Sequence, residues 1–220
     1  MKKLWSANKS QIINSNLFNY ENYISKRYKT KFNKNYNKIL NWSTKNSNDF
    51  WDSIWDYCKV KGIKGKIKRI KSKKFYKNLF LADYKLNFAE NILSKNNHTK
   101  AITFISENGY KEERSWRELN ANSKKIISFL KQNKIKSGER VCAYLPNIIE
   151  TVEYFIATSA IGAIWSSCSP DFGVRGVIER FAQIKPKVLI IADRYYYNGK
   201  EKNVFSQVPE NIKNIKSIKK

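Results

Sequence analysis

Past residue 100 the apolar positions switch regularly between two periods. Residues 101–105 run apolar as a strand does, Asn108-Gly109 supplies a hairpin turn, and residues 110–114 return. Ser115-Trp116-Arg117-Glu118 then reads as a capping box. It opens a helix whose stripe is Trp116, Leu119, Ile126, Ile127 and Leu130. After Ser137-Gly138 comes a buried strand over 140–145, stopped by Pro146. A helix capped by Asn147 follows, with Ile148, Val152, Phe155, Ile156 and Ala160 inward. A strand over 163–168, a turn at Ser169-Pro170-Asp171, a helix burying Val174, Val177, Ile178 and Phe181, and a strand over 187–193 complete the series. Strands alternating with helices at this spacing predict βαβ units. The fold class is therefore α/β, a doubly wound parallel sheet with helices on both faces.

The first 95 residues read differently, as short helices rich in aromatic residues, Asn and Lys. Leu17, Tyr20, Ile24 and Tyr28 recur at helical spacing. A second helix, capped by Asn48 or Asp49, places Phe50, Trp51, Ile54, Trp55 and Cys58 on one face as a docking stripe. Gly62, Gly65 and a dense lysine run over 59–77 interrupt structure, and residues 84–93 resume as a short helix.

Composition changes this picture in three places. The 220 residues are 41% hydrophobic and 14% aromatic, enough for a packed core. Forty-three Lys plus Arg against eighteen Asp plus Glu leave a net charge of +25, which raises nucleic-acid binding as a function class. Lysine is spread through every segment beside Asn and Ile, however, and Arg, the better bidentate binder, is scarce. We read the 59–77 run as a solvated linker and expect no specific nucleic-acid partner. Three cysteines, Cys58, Cys142 and Cys168, without C-x-x-C spacing suit a reducing, cytoplasmic setting. With His98 the single histidine, neither a His-rich metal site nor a Ser/His/Asp relay can be built from the sequence. The N-terminus is not followed by an apolar signal region, and no stretch has the length of a membrane span.

Glycine-rich nucleotide loops and a G-x-S-x-G elbow are missing from the sequence. Asp171 at a helix entry and Asp193 at a strand end stand where open α/β sheets bind ligands, although such residues usually serve as turns or caps. Cys168, also at a strand end, reads as a small core residue.

Several runs carry a resemblance. They are residues 86–93 (from Leu86-Asn87-Phe88), Ser137-Gly138-Glu139-Arg140-Val141, Leu145-Pro146-Asn147, and residues 161–173 with Trp165-Ser166-Ser167-Cys168-Ser169-Pro170-Asp171-Phe172. Together they resemble the adenylate-forming acyl-CoA synthetases. Gln183-Ile184-Lys185-Pro186-Lys187 and Tyr197-Asn198-Gly199-Lys200-Glu201, with Leu4-Trp5, Trp42-Ser43 and Asp49-Phe50-Trp51, resemble the acetoacetate–CoA ligase branch. The resemblance implies an N-terminal extension over 1–95 and the first part of the AMP-binding (adenylation) domain over 96–220. It also implies an ATP- and Mg2+-dependent acid–thiol ligase of lipid and ketone-body metabolism, with acetoacetate, ATP and CoA as substrates. Acetate or propionate ligation and a basic anion-binding module are the alternatives.

The family's phosphate loop, adenylate motifs and catalytic lysine lie downstream of every matched run. The resemblance thus implies an N-terminal portion with no catalytic residue of its own, inactive alone, with a complementary C-terminal chain as a possible partner. It carries over CoA contacts to Ser169, Pro170 and Asp171 at the adenine end, and to Asn198, Gly199 and Lys200 at the 3′-phosphate. Tyr197 stands where acetyl-activating relatives carry an arginine. Truncation is further expected to leave Val188, Leu189, Ile190 and Ile191 partly wet.

Overall fold

The computed structural model describes residues 4–205 and 213–219. The chain divides into two compact units, residues 1–86 and 87–220.

In the first unit, α1 (Lys9–Ile13) starts at an Asn8/Gln11 capping box, and α2 (Asn16–Tyr28) at Ser15, whose Oγ accepts from the Phe18 amide. Helices α2, α3 (Tyr36–Lys45) and α4 (Ser47–Tyr57) enclose Tyr20, Ile24, Phe32 and Ile39, against which Trp42, Phe50, Ile54 and Tyr57 pack. Leu17, expected on the inner stripe of α2, is exposed. Helix α4 also departs from the single expected face. Its N-cap is Asn46 rather than Asn48 or Asp49, and Trp51 and Cys58 are exposed while Asp52 and Ser53 are buried. The reason is that α4 is covered on two sides. Ser53 takes a 2.7 Å hydrogen bond with the Tyr20 hydroxyl on one side, and Trp55 packs edge-on to Tyr84 on another.

Asp52 is the centre of an ion cluster. Its carboxylate meets Arg27 at 2.8 Å, Lys64 at 3.0 Å and Lys68 at 3.3 Å, and accepts from the Tyr84 hydroxyl at 2.9 Å. Burial alone would raise this carboxyl. The bonds from Lys64 and Tyr84 and the charge of Lys68 outweigh it and hold the group below the ordinary carboxylate value. The lysine run is mostly exposed, as expected of a solvated stretch, but it is not a bare linker. It carries β1 (Arg69–Ile70), paired antiparallel with β2 (Leu79–Phe80), and Arg69 lies over the Phe80 ring. Gly65 sits against Asp83, which accepts from the Lys66 and Ile67 amides.

The second unit opens with α5 (Phe88–Ile92), shorter than the expected 84–93 helix. Asn87 sets its start, because its Oδ1 accepts from the Ala89 and Glu90 amides while its Nδ2 donates to the last carbonyls of a later helix, at Ser159 and Ala160. β3 (Lys100–Ile105) and β4 (Lys111–Ser115) form the expected hairpin, with Gly109 at φ +81°. α6 (Trp116–Gln132) begins at the predicted Ser115/Glu118 box.

β5 (Arg140–Tyr144) is followed by α7 (Ile149–Ala160), β6 (Ile164–Cys168), α8 (Val174–Ile184) and β7 (Val188–Ile191). The sheet order is β6-β5-β7 and both pairings are parallel. The chain thus leaves β5 to one side and returns to the other, so α7 and α8 cover opposite faces. Alternation along β5 shows it: Val141 packs with Leu130 and Ala157, whereas Cys142 and Tyr144 pack with Val177 and Phe181. The N-cap of α7 is Ile148, with no side-chain cap bond, and not Asn147. The Ile148 amide and Thr151 Oγ1 both donate to Pro146 O, and this turn takes over the helix entry.

β8 (Arg194–Tyr197) and β9 (Lys200–Asn203) make a last hairpin. The expected wet face of β7 is partly covered. Val188 is buried, and Val204 and Ile215 pack beside Leu189 and Ile191 in the α8-side core.

Candidate functional site at the carboxyl ends of the sheet

Strand order reverses at β5, so the carboxyl ends of β5 and β7 mark a topological switch point, where open α/β sheets leave a crevice. A cleft of about 590 Å³ lies there. Phe104, Glu107 and Tyr110 line it from the first hairpin, Pro146 from the loop after β5, and Tyr195 and Tyr196 from β8. Four aromatic rings, Phe104, Tyr110, Tyr195 and Tyr196, stand in its walls beside aliphatic, polar and charged side chains. None of Ser169, Pro170, Asp171, Asn198, Gly199 or Lys200 lines it.

Those six residues form two turns beside it. The first, after β6, is tied from beneath. The hydroxyl of buried Tyr144, on the neighbouring strand, donates to Pro170 O at 2.8 Å and to Phe172 O at 2.7 Å. Burial pushes the Tyr144 phenol up to about 12, so it remains a donor at neutral pH. Within the turn Ser169 Oγ donates to Asp171 Oδ2 at 2.7 Å. Tyr195 of β8 donates to Asp171 Oδ1 at 3.1 Å and so joins the first turn to the last hairpin. Burial and this bond both raise the Tyr195 phenol.

The second turn is the two-residue tip of the β8–β9 hairpin. Asn198 at φ +51° and Gly199 at φ +70° both lie in the left-handed region that a tight hairpin turn uses, which is why an Asn-Gly pair stands here. Their amides donate to the two oxygens of Glu107, at 3.1 and 3.0 Å. Lys200, opposite Tyr197 in register, is exposed and forms no ion pair among the described residues.

The other flagged residues take structural roles. Asp193 accepts from the Arg194 amide, and its own carbonyl accepts from Val204. Cys168 is buried, which pushes its thiol up to about 11. Among the described residues no group of three His, Cys, Asp or Glu side chains could hold a metal ion. No described helix is long and apolar enough to cross a membrane.

Sequence reasoning did not single out Tyr144, Tyr195 or Glu107. Asn198 and Gly199 enter only through the family resemblance, with no turn expected at that tip.

A parallel sheet of this order, with its crevice at the β5 switch point, belongs to a recognisable class. The chain is a member of the AMP-binding enzyme family, whose pattern matches residues 89–220. More particularly, it is 36% identical over 207 residues to an acetoacetyl-coenzyme A synthetase of Rhizobium meliloti (strain 1021), a match spanning 94% of this chain and 32% of that protein. It is 34% identical to the acetoacetyl-CoA synthetase of Xenopus tropicalis, over 84% of this chain and 28% of that one. The structure of an acetoacetyl-CoA synthetase from Streptomyces lividans aligns with the whole chain at a TM-score of 0.90 and 25% identity, over 34% of its own length. The chain thus spans about a third of the length of the relatives it matches.

Proposed function

We propose that this chain supplies the CoA-nucleotide side of an ATP- and Mg2+-dependent acid–thiol ligase that makes acetoacetyl-CoA, AMP and pyrophosphate. In that reaction a carboxylate oxygen of acetoacetate attacks the α-phosphate of ATP and pyrophosphate leaves. The CoA sulfur then attacks the acyl-adenylate carbonyl and AMP leaves. The observation that carries the reading is the end-to-end fold agreement with an acetoacetyl-CoA synthetase, joined to the relatives' shared name.

The donor set fits the CoA end of the reaction. Two turn amides and the Lys200 ammonium suit a phosphate monoester, and Asp171 and Ser169 offer hydrogen-bond partners to an adenine edge. Adenylation itself needs pre-positioned donors around the triphosphate. On this reading they belong to the further two thirds of the relatives' length, in the same chain or a complementary one. The cytoplasm, where ATP, CoA and free thiols coexist, is the fitting compartment.

The test is calorimetric titration of residues 1–220 with CoA and with dephospho-CoA, which lacks the 3′-phosphate. CoA is expected to bind about tenfold more tightly, and Lys200→Ala to remove most of that difference, the size of one charge-assisted contact. Equal affinity for both ligands would refute the CoA assignment. Purified chain mixed with ATP, Mg2+ and acetoacetate is expected to release no pyrophosphate above a buffer control.

A further inference from the structure

We propose that Glu107 is an internal anion that fills the β8–β9 turn, so that a phosphate monoester entering there has to displace it. This rests on reading the turn as a phosphate site. Successive amides of a turn with positive φ point into one small concavity and favour an anion. Here that concavity already holds one: the two Glu107 oxygens take the Asn198 and Gly199 amides separately, at 3.1 and 3.0 Å.

Each amide has a single proton, and two anions at one concavity repel. Glu107 and an incoming phosphate therefore exclude one another. Glu107 is held at the tip of a different hairpin, where the Ser106 amide bonds Tyr110 O and the Gly109 amide bonds Ser106 O, so it reaches the turn from a fixed base. Glu107, Asn198, Gly199 and Lys200 are all exposed, so exchange needs no unfolding. The Lys200 ammonium, in no ion pair among the described residues, adds attraction for the newcomer. The consequence is selectivity. A carboxylate ligand carries no more charge than Glu107 and gains little by replacing it, whereas a phosphate monoester brings close to two charges and a third oxygen.

The experiment follows the 15N amide signals of Asn198 and Gly199 in the wild-type chain, Glu107→Gln and Glu107→Ala during titration with CoA, dephospho-CoA and inorganic phosphate. Glu107→Ala is expected to lower the Kd for CoA and for inorganic phosphate about tenfold, the size of a lost charge-assisted hydrogen bond. Glu107→Gln, uncharged but keeping one acceptor, is expected in between. Unchanged or weaker affinity in both variants overturns the displacement. If Glu107→Ala loses the Tyr195–Lys202 pairing of the hairpin, Glu107→Gln decides alone. Tightening for inorganic phosphate without preference for CoA over dephospho-CoA keeps the displacement and removes the CoA reading. A preference for CoA that is equal in all three proteins does the reverse. No shift of these amides in any of the three overturns both.

Discussion

Tyr144→Phe isolates the bond that holds the first candidate turn. The ring is buried among Cys142, Cys168, Val177 and Phe181, and phenylalanine leaves that packing unchanged. What is lost is one hydroxyl, shared between Pro170 O and Phe172 O. A typical hydrogen bond contributes about 1 kcal/mol net, and leaving a buried acceptor short costs about 1–3 kcal/mol. Pro170 is buried but Phe172 is partly exposed, so one of the two carbonyls can turn to water. We therefore expect a loss of about 1–2 kcal/mol, which in a unit of this size lowers Tm by about 3–8 °C. Urea unfolding should show a lower midpoint with an unchanged m value. Hydrogen exchange should speed up at Phe172, whose amide bonds Ser169 O, more than on β5 itself. An unchanged midpoint and unchanged Phe172 exchange would show that the turn holds itself and that Tyr144 is only a core aromatic. Equal acceleration across the β5–β7 pairing would instead make the effect global.

Asp52→Asn leaves Arg27, Lys64 and Lys68 without their shared carboxylate. Because those cations are 30–40% exposed, the loss is about 1–3 kcal/mol rather than the larger penalty of a fully buried pair. The carboxyl is depressed in the folded chain, so its contribution is present above the unfolded value of about 3.9 and disappears as pH falls through the lower folded value; wild-type and variant denaturation curves should converge in that range. Gly65→Ala would place a Cβ 2.1 Å from the Asp83 carboxylate and 2.8 Å from its backbone carbon, and should cost about 1–3 kcal/mol, read as a lower urea midpoint. Burial pushes the Cys142 and Cys168 thiols up to about 12 and about 11, so at pH 8 a thiol reagent should label exposed Cys58 alone in the native chain and all three cysteines in denaturant. Three rapidly labelled thiols in the native chain would contradict that packing.

What could be read along the chain is what depends on near neighbours. The Ser115/Glu118 box needs three residues of separation, the Asn108-Gly109 turn needs two, and both are found as expected. The parallel strands follow from the alternation of strand and helix patterns, because a parallel pair needs a crossover connection and a helix supplies each one. Period fails where an element is covered from two directions. One-face arithmetic put Asp52 and Ser53 on the outside of α4, yet a carboxylate can be buried once Arg27, Lys64 and Lys68 converge on it from 12 to 25 residues away. The candidate site depends on such distant pairings throughout. Tyr144 reads as a core aromatic in an apolar run, and its packing agrees, but its hydroxyl acquires a role only when parallel pairing sets the end of β6 beside it. Asn198-Gly199 becomes a hairpin tip when β8 pairs with β9. Its two amides become a receptor only because Glu107, over 90 residues earlier, arrives on another hairpin to fill it. A tight hairpin turn therefore sets where a backbone can offer donors. Which anion those donors hold is decided by tertiary structure, and at this tip it is a carboxylate of the same chain.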